Sequence, residues 1–296
     1  MSEDNVYTKG CLIIFKSRFW GATTKVSEDQ LGDLPPEIVR ASRDLLVDDS
    51  KLEAVRGIIG EAKRFIKSNT MPFPIPNVDF INKNRITFVD DALKSRKENA
   101  IEAVEDLTNA LEYEKSRYKS RFPDLYAEGN YPTANQLMDN FEFNWSFRVI
   151  SPPGKDLAIL SPEIYEAEVK AFKKEINDFQ ESLVSVVAKE LYERIDKLRD
   201  QCIGTGNVSA STIKSIHTML EKFDNVYDGC ISHKDLKKMI DDVKLYLDGT
   251  EAGMLKADDD FRVMVGKKMK EVTSTIVNSK DPRLTRKLDA VKEVKE

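Results

Sequence analysis

The clearest spacing for chemistry lies at Asp224 to Asp235, which reads DNVYDGCISHKD. An EF-hand calcium loop takes oxygen ligands at its first, third, fifth, ninth and twelfth positions, with glycine at the sixth and an apolar residue at the eighth. Asp224, Asp228, Ser232 and Asp235 fill the first, fifth, ninth and twelfth positions, and Gly229 and Ile231 the sixth and eighth. Val226 brings no side-chain oxygen to the third, and Asp235 is shorter than the glutamate that usually gives two oxygens at the twelfth. Calcium is thus the candidate cofactor. A metal-free turn between two helices is the favoured reading of the same residues.

Other catalytic constellations fail on count or pattern. His217 and His233 are the only histidines, so a three-histidine zinc site is impossible. His217 reads as part of an ordinary helix face and His233 as a helix start. Cys11, Cys202 and Cys230 are too few and too scattered for a disulfide framework or a thiolate cluster, and Cys202, at the end of an apolar seam, is expected buried and inert. The glycine-rich phosphate loops, the zinc-protease helix and the serine nucleophile elbow have no counterpart in the sequence. No catalytic residue is assigned. Adjacent acids, such as Asp90 with Asp91 and Asp258 to Asp260, read as solvated helix caps because neighbours in sequence do not share a helix face.

Two basic sets, Lys94, Arg96, Lys97 and Lys115, Arg117, Lys119, Arg121, could meet phosphates, with Tyr118 and Phe122 as stacking surfaces. Arg96, Lys115, Arg117 and Arg121 are the nucleic-acid candidates. Interspersed acids dilute both sets, and 46 Lys plus Arg against 51 Asp plus Glu give a net charge of -5, so no global attraction to an anionic polymer exists. The 296 residues suffice for one or two domains, and 41% apolar with 33% charged residues suits a helical protein. No run of 18 apolar residues predicts a membrane span, and the acidic, polar start predicts no standard secretion signal. Reduced thiols in the cytoplasm are the expectation.

The elements that would position these residues are mostly helices. CLIIFKSRFW, from Cys11 to Trp20, reads as a strand. Pro35 and Pro36 predict a helix from about Glu37 to Leu46, and Ser50 with Glu53 has capping-box spacing for another through Lys67. The prolines of Met71 to Pro76 forbid a helix and predict an extended connector through Phe80. Val89, Leu93, Ala100, Val104, Leu107, Leu111 and Tyr118 predict one long helix, interrupted on its seam by Arg96 and Glu114. Phe141, Phe143, Trp145, Phe147 and Val149 alternate as a strand that would pair with the N-terminal one.

Ser161 as cap and Pro162 predict a helix to Cys202 whose seam, Tyr165, Val169, Phe172, Ile176, Phe179, Leu183 and Val186, has heptad spacing. It needs a long partner, for which the helix around Val104 is the candidate. Helices to Phe223, from His233 to Leu247, and over Phe261 to Ile276 complete the chain. The fold class expected is mainly α, an elongated antiparallel helical bundle or coiled coil with a small β-hairpin element. The segments expected are 1–83, with strand, short helices and connector; 84–203, the long-helix core; and 204–296, with the EF-hand-like loop.

The LIIF run followed by Phe19, Trp20 and Gly21, then Val26, SEDQLG, LPPE and the helix around Arg43 and Leu45, resembles a bacterial and phage helical family, the domain-of-unknown-function family numbered 3150. MPFPIP before a long charged helix matches in kind, and the resemblance covers mainly residues 11–150. It implies no catalytic residue. It does imply protein partners, since members are often encoded beside AAA-type ATPases of the MoxR class and von Willebrand A domain proteins. The function expected is a non-enzymatic helical interaction or structural protein, an adaptor in such a complex, with self-association through the seam left open. The alternatives are a single-stranded nucleic-acid-associated protein and, behind it, a helical pore-forming protein.

Overall fold

The computed structural model describes residues 6–26, 41–227 and 229–288, among which ten α-helices and six strands occur. The apolar N-terminal run is strand β1 (Gly10–Arg18), followed by β2 (Thr23–Lys25) and β3 (Ser42–Asp44). Helix α1 (Ser50–Asn69) leads into the short strands β4 (Met71–Pro72) and β5 (Val78–Asn82), which carry the proline-rich connector. Then come α2 (Ile86–Arg121), α3 (Ala134–Asp139), the aromatic strand β6 (Glu142–Arg148), α4 (Lys155–Leu160) and the longest helix, α5 (Pro162–Asp200). The last third holds α6 (Ala210–Lys222), α7 (Lys234–Leu247), α8 (Ala252–Ala257), α9 (Asp259–Val277) and α10 (Pro282–Thr285). The protein is mainly helical with a small antiparallel strand component. No helix among the described residues is long and apolar enough to cross a membrane.

One expected helix is overturned where it is described. Of Glu37 to Leu46, residues 37–40 lie outside the described residues, and Ser42–Asp44 is strand β3, paired antiparallel with β2 so that Thr24 faces Arg43. Leu45 N–H donates to the Ala22 carbonyl at 2.8 Å and Val26 N–H to the Ala41 carbonyl at 3.0 Å. These ladder bonds satisfy the backbone in place of a helix. The SEDQLG and LPPE stretches also lie outside the described residues.

By contacts the chain forms two compact units, each assembled from separated segments. Unit one comprises Met1–Ile13, Ser68–Ile86 and Phe147–Glu296. Its core is the seam of α5, where Ile176, Phe179, Leu183, Val187, Leu191, Ile195 and Leu198 are buried together with apolar residues of α6, α7 and α9. A fully buried side chain of this size stabilises by about 1.5–3 kcal/mol, so the seam is the main fixed point of the unit. α5 packs against α4, α6, α9 and α10 of its own unit. The helix around Val104, expected as its partner, belongs to unit two instead.

Ser161 makes no capping hydrogen bond. Pro162, which lacks the N–H that would need a cap, opens α5 without one. β4 and β5 pair antiparallel, Met71 opposite Phe80, and Phe73 and Phe80 set their rings 4.9 and 5.4 Å from that of Phe179. At the start of β1 only glycine fits, because a Cβ on Gly10 would stand 2.0 Å from the Ile81 carbonyl.

Unit two comprises Ile14–Lys67 and Thr87–Ser146. All seven seam positions expected of α2 are buried, and the two interruptions have structural explanations. Arg96 lays its guanidinium 4.2 Å over the Phe65 ring and donates to the Ala92 carbonyl, while buried Glu114 accepts from Arg117 at 2.9 Å and from Asp48 N–H. Phe15 of β1 and Phe143 of β6 meet edge to face at 5.0 Å, which places the aromatic strand against the N-terminal one. Tyr131 donates its hydroxyl to the Leu45 carbonyl at 2.8 Å and closes a small cluster with Leu45 and Leu111.

Candidate functional site at the His233 cleft

A convergence of polar side chains in unit one lies where the turn before α7 meets α5 and α10. Gly229, at φ +70°, allows the tight turn that follows α6, and the chain then enters α7 through His233 as its N-cap. A cleft of about 470 Å³ opens there, lined by Asn177 and Gln180 of α5, Lys234 and Asp235 at the start of α7, and Asp281 and Arg283 beside α10.

The His233 side chain is only 5% exposed. Its Nδ1 accepts the Leu236 N–H at 3.2 Å, so Nε2 carries the ring hydrogen and donates it to Asp281 Oδ2 at 2.9 Å. Asp281 also accepts from Arg283 Nε at 2.9 Å, from Arg283 Nη2 at 2.5 Å and from the Arg283 N–H at 2.9 Å, which caps α10. The Arg283 guanidinium, with the His233 hydrogen bond added, holds the Asp281 carboxyl far below the usual carboxylate range. Buried Ser185 of α5 lies 2.7 Å from the Arg283 carbonyl and ties α10 to the long helix.

This arrangement fastens α5, the start of α7 and α10 together. With both ring nitrogens engaged, His233 has no lone pair to offer Cys230, which lines the same cleft; the thiol of Cys230 is buried and takes the Asn82 amide at 3.7 Å. The other thiols are no better nucleophiles, since burial pushes Cys202 up to about 11 and raises Cys11 as well. Cys202 is buried at the end of the seam, as its position predicted.

The calcium candidates are dispersed among the described residues. Asp224 sits in a π-helical turn, Phe223–Tyr227, that prolongs α6, and its Oδ1 pairs with Lys244 Nζ at 2.5 Å. Val226, at the third loop position, is buried in the core. Ser232 and Asp235 line the His233 cleft, whereas Asp224 lines a different one with His217 and Asp248. Asp228 lies outside the described residues. No group of three or more His, Cys, Asp or Glu side chains placed to hold a metal ion occurs among the described residues.

The basic candidates all stand on α2. Lys115 is held between Glu112 at 2.9 Å and Glu128 at 2.6 Å, so its ammonium is strongly favoured and its charge is locally answered. Arg117 pairs with Glu114, and Arg121 lies 5.4 Å from the Phe122 ring centre. Arg96 is turned toward Phe65.

The sequence marks His233 as a helix start but does not show that Asp281 and Arg283 meet it. The available signal was Asp281 before Pro282, an N-cap followed by the one residue that needs no cap bond. The chain matches no family model, and neither the curated proteins nor the solved structures provide a match.

Proposed function

We propose that the chain is a non-enzymatic interaction or structural protein of the family-3150 kind, acting in the bacterial or phage-host cytoplasm as an adaptor between a MoxR-class AAA ATPase and a von Willebrand A domain protein. The observation that supports this reading is the thinly covered N-terminal end of the α5 seam. Val149 and Ile159, before α5, are each 83% exposed, and Ile164, in its first turn, is 54% exposed. Tyr165, Val169 and Phe172 are only half-buried there, Phe172 against the Tyr7 ring, while Ile176, Phe179 and Leu183 further along the seam are buried. A single exposed leucine would mean nothing, but an apolar stretch continuous with a heptad seam suits a long helix from a partner or a second copy. The coiled coil expected from the heptads belongs to this docked state.

The test uses purified chain with a purified MoxR-class ATPase and von Willebrand A protein, measured by biolayer interferometry and sedimentation. Saturable binding is expected, weakened about tenfold in an Ile159→Asp, Ile164→Asp double variant that melts like the parent, because both side chains are exposed. No binding to either protein, or equal binding by the variant, would remove the adaptor reading.

A second reading, association with single-stranded nucleic acid, draws on the end of α2, where Lys119 and Arg121 lie 5.3 and 5.4 Å from the Tyr126 and Phe122 rings. A labelled oligonucleotide added to the same preparation at low and moderate salt separates the two readings. Binding lost with salt and with Arg121→Ala would favour nucleic acid.

A further inference from the structure

Two clefts of unit one meet at His217. One, of about 550 Å³, lies between α6 and α7; the other, of about 460 Å³, lies between α6 and the turn at Gly249 to Gly253. Together they follow α6 from Ala210 to Asp224, roughly 21 Å at 1.5 Å per residue. That is the length of about four helical turns.

The floor of this groove is formed by Ile213, Leu220 and Leu247, which keep 5%, 6% and 0% of their surface exposed as part of the core, and Leu245, 74% exposed, is the apolar side chain that stands open on its wall. Apolar lining alone names no occupant, but the charge around it does. Glu221 on the α6 side and Asp241, Asp248 and Glu251 on the other are exposed and unpaired. Lys244 cannot answer them, because it is already taken by Asp224 at 2.5 Å, and only Lys214 opposes them among the described lining residues. An apolar trough with carboxylates on both walls complements a helix whose apolar stripe is flanked on both sides by cations.

We propose that the groove between α6 and α7 receives a basic amphipathic helix of a partner protein, its apolar stripe against exposed Leu245 and its lysines or arginines against Glu221, Asp241, Asp248 and Glu251. This deepens the interaction reading and rests on it, but assigns a surface separate from the thinly covered N-terminal end of α5. The acidic walls repel nucleic acid and anionic lipid, so the occupant is a polypeptide.

The probe is a fluorescein-labelled Leu/Lys peptide of about 18 residues, five helical turns, with leucines on one face, measured by anisotropy against the full chain. A scrambled peptide of the same composition is the control. The helical peptide is expected to bind at least about tenfold more tightly than the scrambled one, and binding is expected to weaken as salt rises. An Asp241→Lys, Asp248→Lys double variant and, separately, Leu245→Asp are each expected to lose about tenfold with unchanged melting, since all three side chains are exposed. Glu102→Lys with Asp106→Lys, exposed acids of α2 in unit two, should leave binding unchanged. Equal affinity for the scrambled peptide, insensitivity to the groove variants, or a dimer of the chain itself that Asp241→Lys dissociates would overturn the assignment. No binding of the peptide by the parent chain, with retained capture through Ile159 and Ile164, discards the groove and leaves the adaptor reading standing; the reverse pattern discards the adaptor.

Discussion

Asp281 accepts from four N–H groups at once: the ring of His233, two nitrogens of the Arg283 guanidinium and the Arg283 backbone. Each of these bonds prefers the carboxylate, so the folded protein binds that proton much less readily than the unfolded chain, where an aspartate titrates near about 3.9. The stabilisation is complete above about pH 5 and drains away as pH falls through the unfolded value toward the folded one. Asp281→Asn is expected to cost about 2 kcal/mol at neutral pH, the size of a lost charge-assisted bond at a mostly covered site. The gap from the parent should begin to narrow below about pH 4 and go on narrowing as the pH falls toward the folded value. Urea denaturation across that range checks it, and a gap that stayed constant into acid would show that the charge contributes nothing. His233 appears in the sequence as a plausible helix start, and it is one. Its partner is 48 residues away, a separation no local pattern reports.

At the scale of elements, α9 crosses the π-helical turn Gln201–Thr205 that continues α5 so closely that a Cβ on Gly266 would lie 2.9 Å from Cys202 Cβ and 2.7 Å from Ile203 Cγ1. Half-exposed Ile203 can swing aside, but a Cβ moves only with its backbone. Gly266→Ala is therefore expected to destabilise by about 1–3 kcal/mol despite alanine's better helix propensity. Gly57, on the exposed face of α1 with nothing near its Cβ, is the internal control: Gly57→Ala should stabilise by about 0.5–1 kcal/mol. Equal signs at the two positions in chemical denaturation would refute the close approach. Helix spans were legible because their information is periodic: the buried run from Ile176 to Leu198 and the α2 seam from Val89 to Tyr118 follow the apolar spacing. The turn to strand at Ser42–Asp44 was not, because its cause is pairing with Thr23–Lys25, which no local pattern reports. Nor did the heptads of α5 name its neighbours; a seam specifies that it must be covered, and α6, α9 and α10 cover it.

Unit one, taken whole, depends on chain segments far from its helices. Val6, Met71 and Phe80 belong to the same buried cluster as the α5 seam, although all three precede α2. Phe73 and Phe80 cover Phe179, and Asn82 reaches the Cys230 thiol. Met71 and Phe80 are 0% exposed, so each contributes about 1.5–3 kcal/mol of burial that a chain beginning at Phe147 could not recover. Such a fragment, residues 147–296, keeps every helix from α4 to α10 yet leaves Phe179 without its aromatic cover. It is expected to retain helical circular dichroism, to bind a hydrophobic dye, and to unfold at lower urea with a shallower slope than the full chain. Adding residues 68–86 as a separate peptide should suppress the dye signal, since that segment alone carries Met71, Phe73, Phe80 and Asn82. A fragment that unfolds as cooperatively as the full chain, without dye binding, would mean that the helices build this core alone and that the strands merely rest upon it.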